Sequence, residues 1–429
     1  MPRPLPGGLS PGGRRRPGHL VNAEEVLHLL GGRRRRSHRK FGNLHSVSDL
    51  RRAARRRLPR AVFDYLEGGA EQERTLWDNQ ARYGRYRFQP RALTGTSTPS
   101  LEQTLLGREL PLPLGLAPTG YTRLIHRDGE IGAARAASDA GVPYTAATMA
   151  TTSLAEIAAN STGPLWFQLY VNSEWPVTER LVREAEQAGC QALMVSVDTQ
   201  VAGQRLRDLR NGLTIPPSLS WTALWGIAIH PGYWTGLLGG PGLAFANFPD
   251  ATSPAAGGIA EITRSFEAAL SWQHLEQIRE LWAGPLLLKG PLGPSDVARA
   301  LAAGCEGVYL SNHGGRQLDR SPHPLELLVA ARREVGEAAV LLVDSGIRTG
   351  ADAVIALALG ADLAMVGRAY LYGLAAAGER GVRLAISMLA GEMERTMQLL
   401  GVGGIAELRR LGPELLRLDG AAVHAGGRW

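Results

Sequence analysis

A chain of 429 residues, 44% hydrophobic and 20% charged, can bury a sizeable core, either as two domains or as one large α/β barrel. Its two cysteines, Cys190 and Cys305, exclude a disulfide framework; both sit in apolar-rich stretches, so buried thiols in a reducing cytoplasm are expected. The net charge of +7 is placed unevenly: the first 60 residues hold 16 of the 47 Lys+Arg and three of the 40 Asp+Glu, which leaves the rest of the chain mildly acidic. A folded nucleic-acid binder would spread its cations over a docking face and interleave aromatics, so nucleic acid is not an expected partner.

In chain order, residues 1–45 are rich in Gly, Pro and Arg and read as a basic tail, solvated or drawn to anionic lipid. No apolar run follows its arginines as a secretory signal would require. From Ser46 the pattern turns helical, with Ser48-Asp49-Leu50 leading into Ala53, Leu58 and Val62. After residue 110 short apolar runs alternate with Ala-rich amphipathic stretches, giving candidate strands at 112–118, 143–148, 165–171, 192–198, 285–290, 307–312, 340–346 and 363–368. Four of these follow a helix-ending glycine, Gly141, Gly189, Gly304 or Gly360, in the place where a left-handed residue closes a helix. Eight buried strands alternating with helices predict an α/β fold, a (β/α)8 barrel with an N-terminal helical extension. A doubly wound open sheet is the alternative, but no Gly-x-Gly-x-x-Gly follows an early strand. One segment breaks the rhythm. Residues 211–249 contain no Asp, Glu, Lys or Arg, carry Trp221, Trp225, Tyr233 and Trp234, and are interrupted by Gly and Pro. They predict a long loop insert after strand 4, spanning 211–262, which either lies over the barrel mouth as a lid or rests on a membrane face without crossing it. Residues 46–420 are then the barrel domain and 421–429 a C-terminal tail.

In such a barrel, polar residues at the C-terminal strand ends mark the site. Those ends carry Pro118-Thr119-Gly120, Gln168 and Tyr170, Ser196 and Asp198 with Arg205 beyond, Lys289, Ser311 through Arg316, Asp344-Ser345-Gly346 with Arg348, and Gly367-Arg368. Lys289 is one of only two lysines among 47 basic residues, so a compact charge on a flexible stem is wanted there. His313 paired with Asp198 makes an oriented base. Arg205 and Arg316 could clamp a carboxylate, and Gly346, Arg348, Gly367 and Arg368 fall where barrels hold phosphate. Together they imply proton abstraction beside a carboxylate, with a phosphate-bearing cofactor as electron sink. A non-catalytic barrel binding protein would be expected to lack the base or the clamp; both are present.

The run Ser311-Asn312-His313-Gly314-Gly315-Arg316-Gln317-Leu318-Asp319 resembles the active-site signature of the FMN-dependent L-2-hydroxy-acid dehydrogenases and oxidases, and the likeness runs in register from about Leu58 to about Leu418. The resemblance implies bound FMN and no metal, with His313 as base, Asp198 its partner, and Tyr65, Tyr170, Arg205 and Arg316 around the substrate. It implies Lys289 beside the flavin N1–O2 edge, Pro118, Thr119, Gly120, Gln168, Ser196 and Ser311 on the ring and ribityl chain, and Asp344, Ser345, Gly346, Arg348, Gly367 and Arg368 on ribityl and phosphate. Ala147 and Met149 depart from the pattern, the first removing a flavin-contacting serine, the second replacing the Trp of glycolate-specific members. The uncharged insert and Gly120 are similar to the quinone-linked branch rather than to the oxidases. Gly203-Gln204-Arg205-Leu206-Arg207-Asp208 and Gly367-Arg368-Ala369-Tyr370 resemble the bacterial respiratory L-lactate dehydrogenases. The implied protein oxidises an L-2-hydroxy acid, L-lactate foremost, for a quinone or another respiratory acceptor, as a homotetramer peripheral to the cytoplasmic face of the membrane; the alternatives are a mandelate-type dehydrogenase and an oxygen-using 2-hydroxy-acid oxidase.

Overall fold

A computed structural model of the chain describes residues 43–212, 230–238, 243–248, 259–419 and the backbone of 421–422. Contacts divide the chain into Met1–Leu44 and His45–Trp429; the fold below is that of the second unit. The expected basic tail lies outside the described residues up to 42.

Eight strands close a parallel barrel: β1 (Leu114–Leu116), β2 (Tyr144–Ala147), β3 (Leu165–Leu169), β4 (Leu193–Ser196), β5 (Leu286–Gly290), β6 (Gly307–Leu310), β7 (Val340–Val343) and β8 (Leu363–Val366). Each lies inside a run read from the sequence, and β8 pairs with β1 through Ala364–Leu114, Met365–Gly115 and Val366–Leu116. The strands are apolar along their length because they are buried on both faces, by the barrel interior and by the helices outside. Trp166, Met194, Leu287, Tyr309, Leu342 and Met365 belong to one packed cluster in that interior. Gly115 makes room for Met365: a Cβ there would sit 2.6 Å from its Sδ. All four helix-ending glycines take positive φ, between +67° and +107°, which a side chain would strain by about 1–2 kcal/mol.

Ahead of the barrel stand α1 (Val47–Arg57), α2 (Arg60–Glu67) and α3 (Arg74–Ala81). Ser46 caps α1 by accepting the Asp49 N–H at 3.2 Å. Its buried residues Val47, Leu50 and Ala54 share one face, and the helix packs against the helix that follows β8, Arg368–Ala377. A separate antiparallel sheet joins Tyr86–Phe88, Leu416–Leu418 and Ala421–Ala422, so regular structure extends two residues into the stretch read as C-terminal tail.

The insert after β4 is described only in parts. Its helix Pro231–Leu238 begins on proline, whose missing N–H costs nothing in a first turn. At about 1.5 Å per residue it is far too short to span a bilayer, and no helix among the described residues is long and apolar enough to cross one. Tyr233 packs against the barrel: its side chain is buried and its hydroxyl donates to the Leu124 carbonyl at 2.7 Å. Residues 243–248 also belong to the barrel mouth. Phe245 stacks on Tyr121 at 4.8 Å, and Asn247 Nδ2 donates to the Thr148 carbonyl at 2.9 Å. Trp221 and Trp225 lie outside the described residues.

Cys190 and Cys305 are unpaired and buried, as expected, and burial pushes both thiols up to about 12. Because the thiolate is the reactive species, a disulfide reagent at pH 8 should leave the folded protein unmodified and titrate two thiols after denaturation. Rapid labelling of either residue in the native state would contradict this packing.

Candidate active site

The strand ends converge on a cavity at the C-terminal mouth of the barrel, lined from β1 by Pro118, Thr119 and Gly120, from β3 by Gln168 and Tyr170, and from β5 by Lys289. The loop after β6 adds His313 and Arg316; β7 and its loop add Asp344, Ser345, Gly346 and Arg348; β8 adds Gly367 and Arg368. Tyr65 from α2 and Arg205 from beyond β4 close the wall. Sequence positions up to 303 residues apart are thereby brought together, as a parallel barrel requires when every strand delivers its C-terminal end to one face.

His313 carries the chemistry of the wall. It sits at φ +58°, followed by Gly314 at +64° and Gly315 at +75°, a left-handed run that costs on the order of 1–3 kcal/mol at the non-glycine position. Surrounding bonds hold it: the Ser311 hydroxyl accepts the His313 N–H at 3.1 Å, and the Ser345 hydroxyl accepts the Gly314 N–H at 3.2 Å. The imidazole Nδ1 is 3.2 Å from both carboxylate oxygens of Asp198, whose side chain is only 7% exposed. A carboxylate can only accept, so Nδ1 carries the proton and Nε2 is left with a lone pair, 3.3 Å from the Tyr170 hydroxyl. Desolvation lowers the imidazole below its ordinary value, opposed by Asp198 and reinforced by Lys289 and Arg316. For Asp198, desolvation pushes up, but His313 and Lys289 outweigh it and hold the carboxyl below its usual range. The ring is therefore neutral and its partner ionised at neutral pH.

Most of the cations around this pair lack anionic partners. Arg316 donates to the carbonyls of Tyr65 at 2.7 Å and Gly68 at 3.0 Å, and lies over the Tyr65 ring at 5.0 Å. Arg368 donates to the carbonyls of Leu66, Gly314 and Gly68 at 3.1, 2.9 and 2.8 Å. Desolvation followed by the neighbouring guanidinium lowers Arg316 to about 10 and Arg368 to about 9, so both remain charged at pH 7. Among the described residues neither they nor Arg348 nor Lys289 form an ion pair, whereas Arg205 is paired with Asp208 at 3.2 Å. A mouth with so much uncompensated positive charge suits a ligand with two anionic groups.

A flavin mononucleotide fits what is left open. The Nε2 of Gln168, on the cavity wall at the end of β3, is buried without a hydrogen-bond partner, a state that costs about 1–3 kcal/mol unless a ligand answers it. Gly367 leaves room in the wall there, and Gly120 is packed tightly against Met149. A Cβ on Gly120 would come within 2.8 Å of Met149 Cβ, and one on Gly367 would meet nothing nearer than 3.9 Å. Arg348, on the cavity wall with Gly346 and Arg368, could supply charge for a phosphate.

Some placements differ from the sequence reading. Ser196 and Ser311, expected on the ring and ribityl chain, stand behind the cavity wall rather than on it, while Asp198 stands behind His313 as its partner. Ser311 braces the backbone of His313, and Asp344 is engaged by the hydroxyls of Tyr309 at 2.8 Å and Ser345 at 2.7 Å. Sequence reasoning missed Phe266, whose ring lies 4.7 Å from that of Tyr170, and Phe245. Phe245 comes from the insert and Phe266 from the stretch between the insert and β5, where no strand register marks them. It also gave no role to Gln317, although that residue lies within the His313 motif.

The comparisons with known proteins agree with this geometry. Residues 54–416 match the family described as FMN-dependent dehydrogenase. The chain is 43% identical over 387 residues to a putative L-lactate dehydrogenase of Mycobacterium tuberculosis, covering 88% of this chain and 92% of that protein. It is 38% identical to the (S)-mandelate dehydrogenase of Pseudomonas putida, covering 89% and 96%. A crystal structure of the monotopic membrane protein (S)-mandelate dehydrogenase superposes with a TM-score of 0.83 at 37% identity, over 88% of this chain and all of that one. By fold, site and sequence alike, the chain belongs to the FMN-dependent dehydrogenase family.

Proposed function

We propose that the protein oxidises an L-2-hydroxy acid, L-lactate foremost, to the 2-oxo acid with FMN, and passes the electrons to a quinone or another respiratory acceptor. The observation that carries the reading is the neutral, Asp198-oriented His313 facing a cavity in which Arg316 and Arg368 are bonded to backbone carbonyls rather than to carboxylates. Arg316, with the Tyr65 hydroxyl and Arg205, would hold the substrate carboxylate. His313 Nε2 would take a proton from the hydroxy-acid centre, and the imidazolium formed would be stabilised by Asp198. Pro118, Thr119, Gly120, Gln168, Ser196 and Ser311 would hold or support the ring and ribityl chain. Asp344, Ser345, Gly346, Arg348, Gly367 and Arg368 would serve the ribityl chain and phosphate. FMN accepts the two electrons the substrate gives up; Lys289, buried at the end of β5, would place a fixed cation against the charge that develops there.

A mandelate-type acid is a second reading, favoured by the aromatic lining that Tyr121, Phe245 and Phe266 give the cavity. Oligomerisation to a tetramer, a basic tail over 1–45 and an insert over 211–262 complete the proposal. Membrane contact is supported by the uncharged stretch and by likeness to a protein described as monotopic.

Mass spectrometry of the cofactor released from purified protein should give FMN; FAD, or an apoprotein that cannot be reconstituted, would exclude the reading.

His313→Gln should keep FMN while flavin reduction by substrate slows by about 10²–10⁴-fold, the usual contribution of a positioned base. Arg316→Met should lose about 10–100-fold in kcat/KM, as expected for removing charge-assisted hydrogen bonds. Because His313 is lowered from its ordinary 6.5, the wild-type kcat/KM should rise with pH along a limb lying below 6.5 and stay level through neutrality. A stopped-flow profile with its acid limb above 7 would reject the base assignment.

Since 243–248 build the mouth, the membrane test belongs on residues 213–229 alone. Replacing them with a short polar loop should reduce liposome binding and quinone reduction while substrate still bleaches the flavin. Undiminished liposome binding would rule this segment out as the anchor.

A further inference from the structure

The segment after His313 makes a second set of contacts that the proposed reaction does not use. Gln317 Nε2 donates to the backbone carbonyls of Asp198 at 2.8 Å and Val201 at 3.1 Å, and its Oε1 accepts the Gly203 N–H at 3.0 Å. Both amide hydrogens and the amide oxygen are thus committed to one loop, residues 197–205, which carries Asp198 at one end and Arg205 at the other. That loop has left the sheet: β4 ends at Ser196, and no backbone N–H among the described residues reaches the Asp198 or Val201 carbonyl. At Gly203 the two loops meet backbone to backbone, where a Cβ would lie 2.4 Å from the Arg316 carbonyl oxygen and 2.8 Å from Gln317 Cα.

The neighbouring residues of the motif do the same for other elements. Arg316 reaches the carbonyls of Tyr65 and Gly68. Asp319 accepts the Thr75 N–H at 2.8 Å and the Gln72 N–H at 3.2 Å, at the start of α3. Gln317 is the member aimed at the partner of the base.

We propose that Gln317 is a positioning residue that holds the Asp198 loop against the His313 loop and so keeps the Asp198 carboxylate on His313 Nδ1. The catalytic consequence rests on the function proposed above; the placement of Asp198 does not. Carboxylate and imidazole sit on the loops after different strands, β4 and β6, with β5 between those strands. The Gln317 amide ties their loops directly, over a separation small enough that a shift of an ångström would disengage the pair. The other groups acting on His313 are Lys289 from β5, Tyr170 from β3 and Arg316 on its own loop; none of them is bonded to Gln317.

The test replaces the amide by an apolar side chain of equal length, Gln317→Met, with Gln317→Asn as the variant that keeps the amide on a shorter stem. The titration of His313 is followed by NMR in ¹³C-histidine-labelled holoprotein, its signal assigned by its loss in His313→Gln. Asp198 favours the protonated ring, so losing its engagement should lower the His313 midpoint in Gln317→Met, in the same direction as in Asp198→Asn. Adding Gln317→Met to Asp198→Asn should then change little. With substrate, kcat should fall on the order of ten- to a hundredfold, the acid limb of the pH profile should move down with the NMR midpoint, and Gln317→Asn should recover part of both. FMN content should stay at one per chain. An unchanged His313 midpoint, or effects of Gln317→Met and Asp198→Asn that simply add, would overturn the proposal. If no 2-hydroxy acid reduces the wild-type flavin, the functional reading fails, while the NMR titration still decides whether Gln317 positions Asp198.

Discussion

The site depends on cations that the protein solvates with neutral groups. Arg316 and Arg368 are partly withdrawn from water, and the carbonyls at Tyr65, Leu66, Gly68 and Gly314 accept their N–H bonds. Carbonyl dipoles stabilise a guanidinium without cancelling its charge, whereas a carboxylate would cancel it and leave nothing for a ligand. This arrangement explains why α2 is needed. The barrel by itself supplies the arginines, while the last turn of α2 and Gly68 just beyond it supply most of the oxygens that let them stay charged inside the mouth. Glu67 serves the same end from the other side, bonded to Arg51 and Tyr372 rather than to either arginine.

Strain at His313 follows from the same economy of space. A left-handed histidine followed by two left-handed glycines turns the chain sharply after β6, bringing the ring over Asp198 and the Arg316 side chain back toward α2. The bonds from Ser311, Ser345 and Gln317 over-determine that turn, as a strained backbone at a reactive group requires. Gly315 shows how close the packing is: its carbonyl accepts the Ala70 N–H at 2.8 Å, and a Cβ on it would lie 2.6 Å from the Leu76 nitrogen.

Much of this was legible in the residues themselves. Eight apolar runs spaced by amphipathic stretches specify a parallel closed sheet, because strands buried on both faces must be apolar throughout. Polar residues at their C-terminal ends could then be assigned to one face before any distance was known. Lys289 stood out after three leucines in a chain that otherwise uses arginine. The insert was less legible: absence of charge says that water is not required, but not whether a protein wall or a lipid surface replaces it. Tyr233 and Phe245 show the first answer for their own positions.

The sequence by itself determined the barrel, the order of its strands, the chemical type of each strand end and, through the His313 motif, the family, since periodicity and local motifs are properties of neighbouring residues. Only the tertiary structure decided which of those side chains form the cavity wall and which stand behind it. Ser196, Ser311 and Asp198 carry the same polar signature as the wall residues, yet they lie in the second layer, where Ser311 supports the backbone of the base and Asp198 its ring. The same holds for Gln317 and the carbonyls of residues 65–68. Their partners lie more than a hundred residues away, and a backbone oxygen carries no side-chain signature from which its partner could be read.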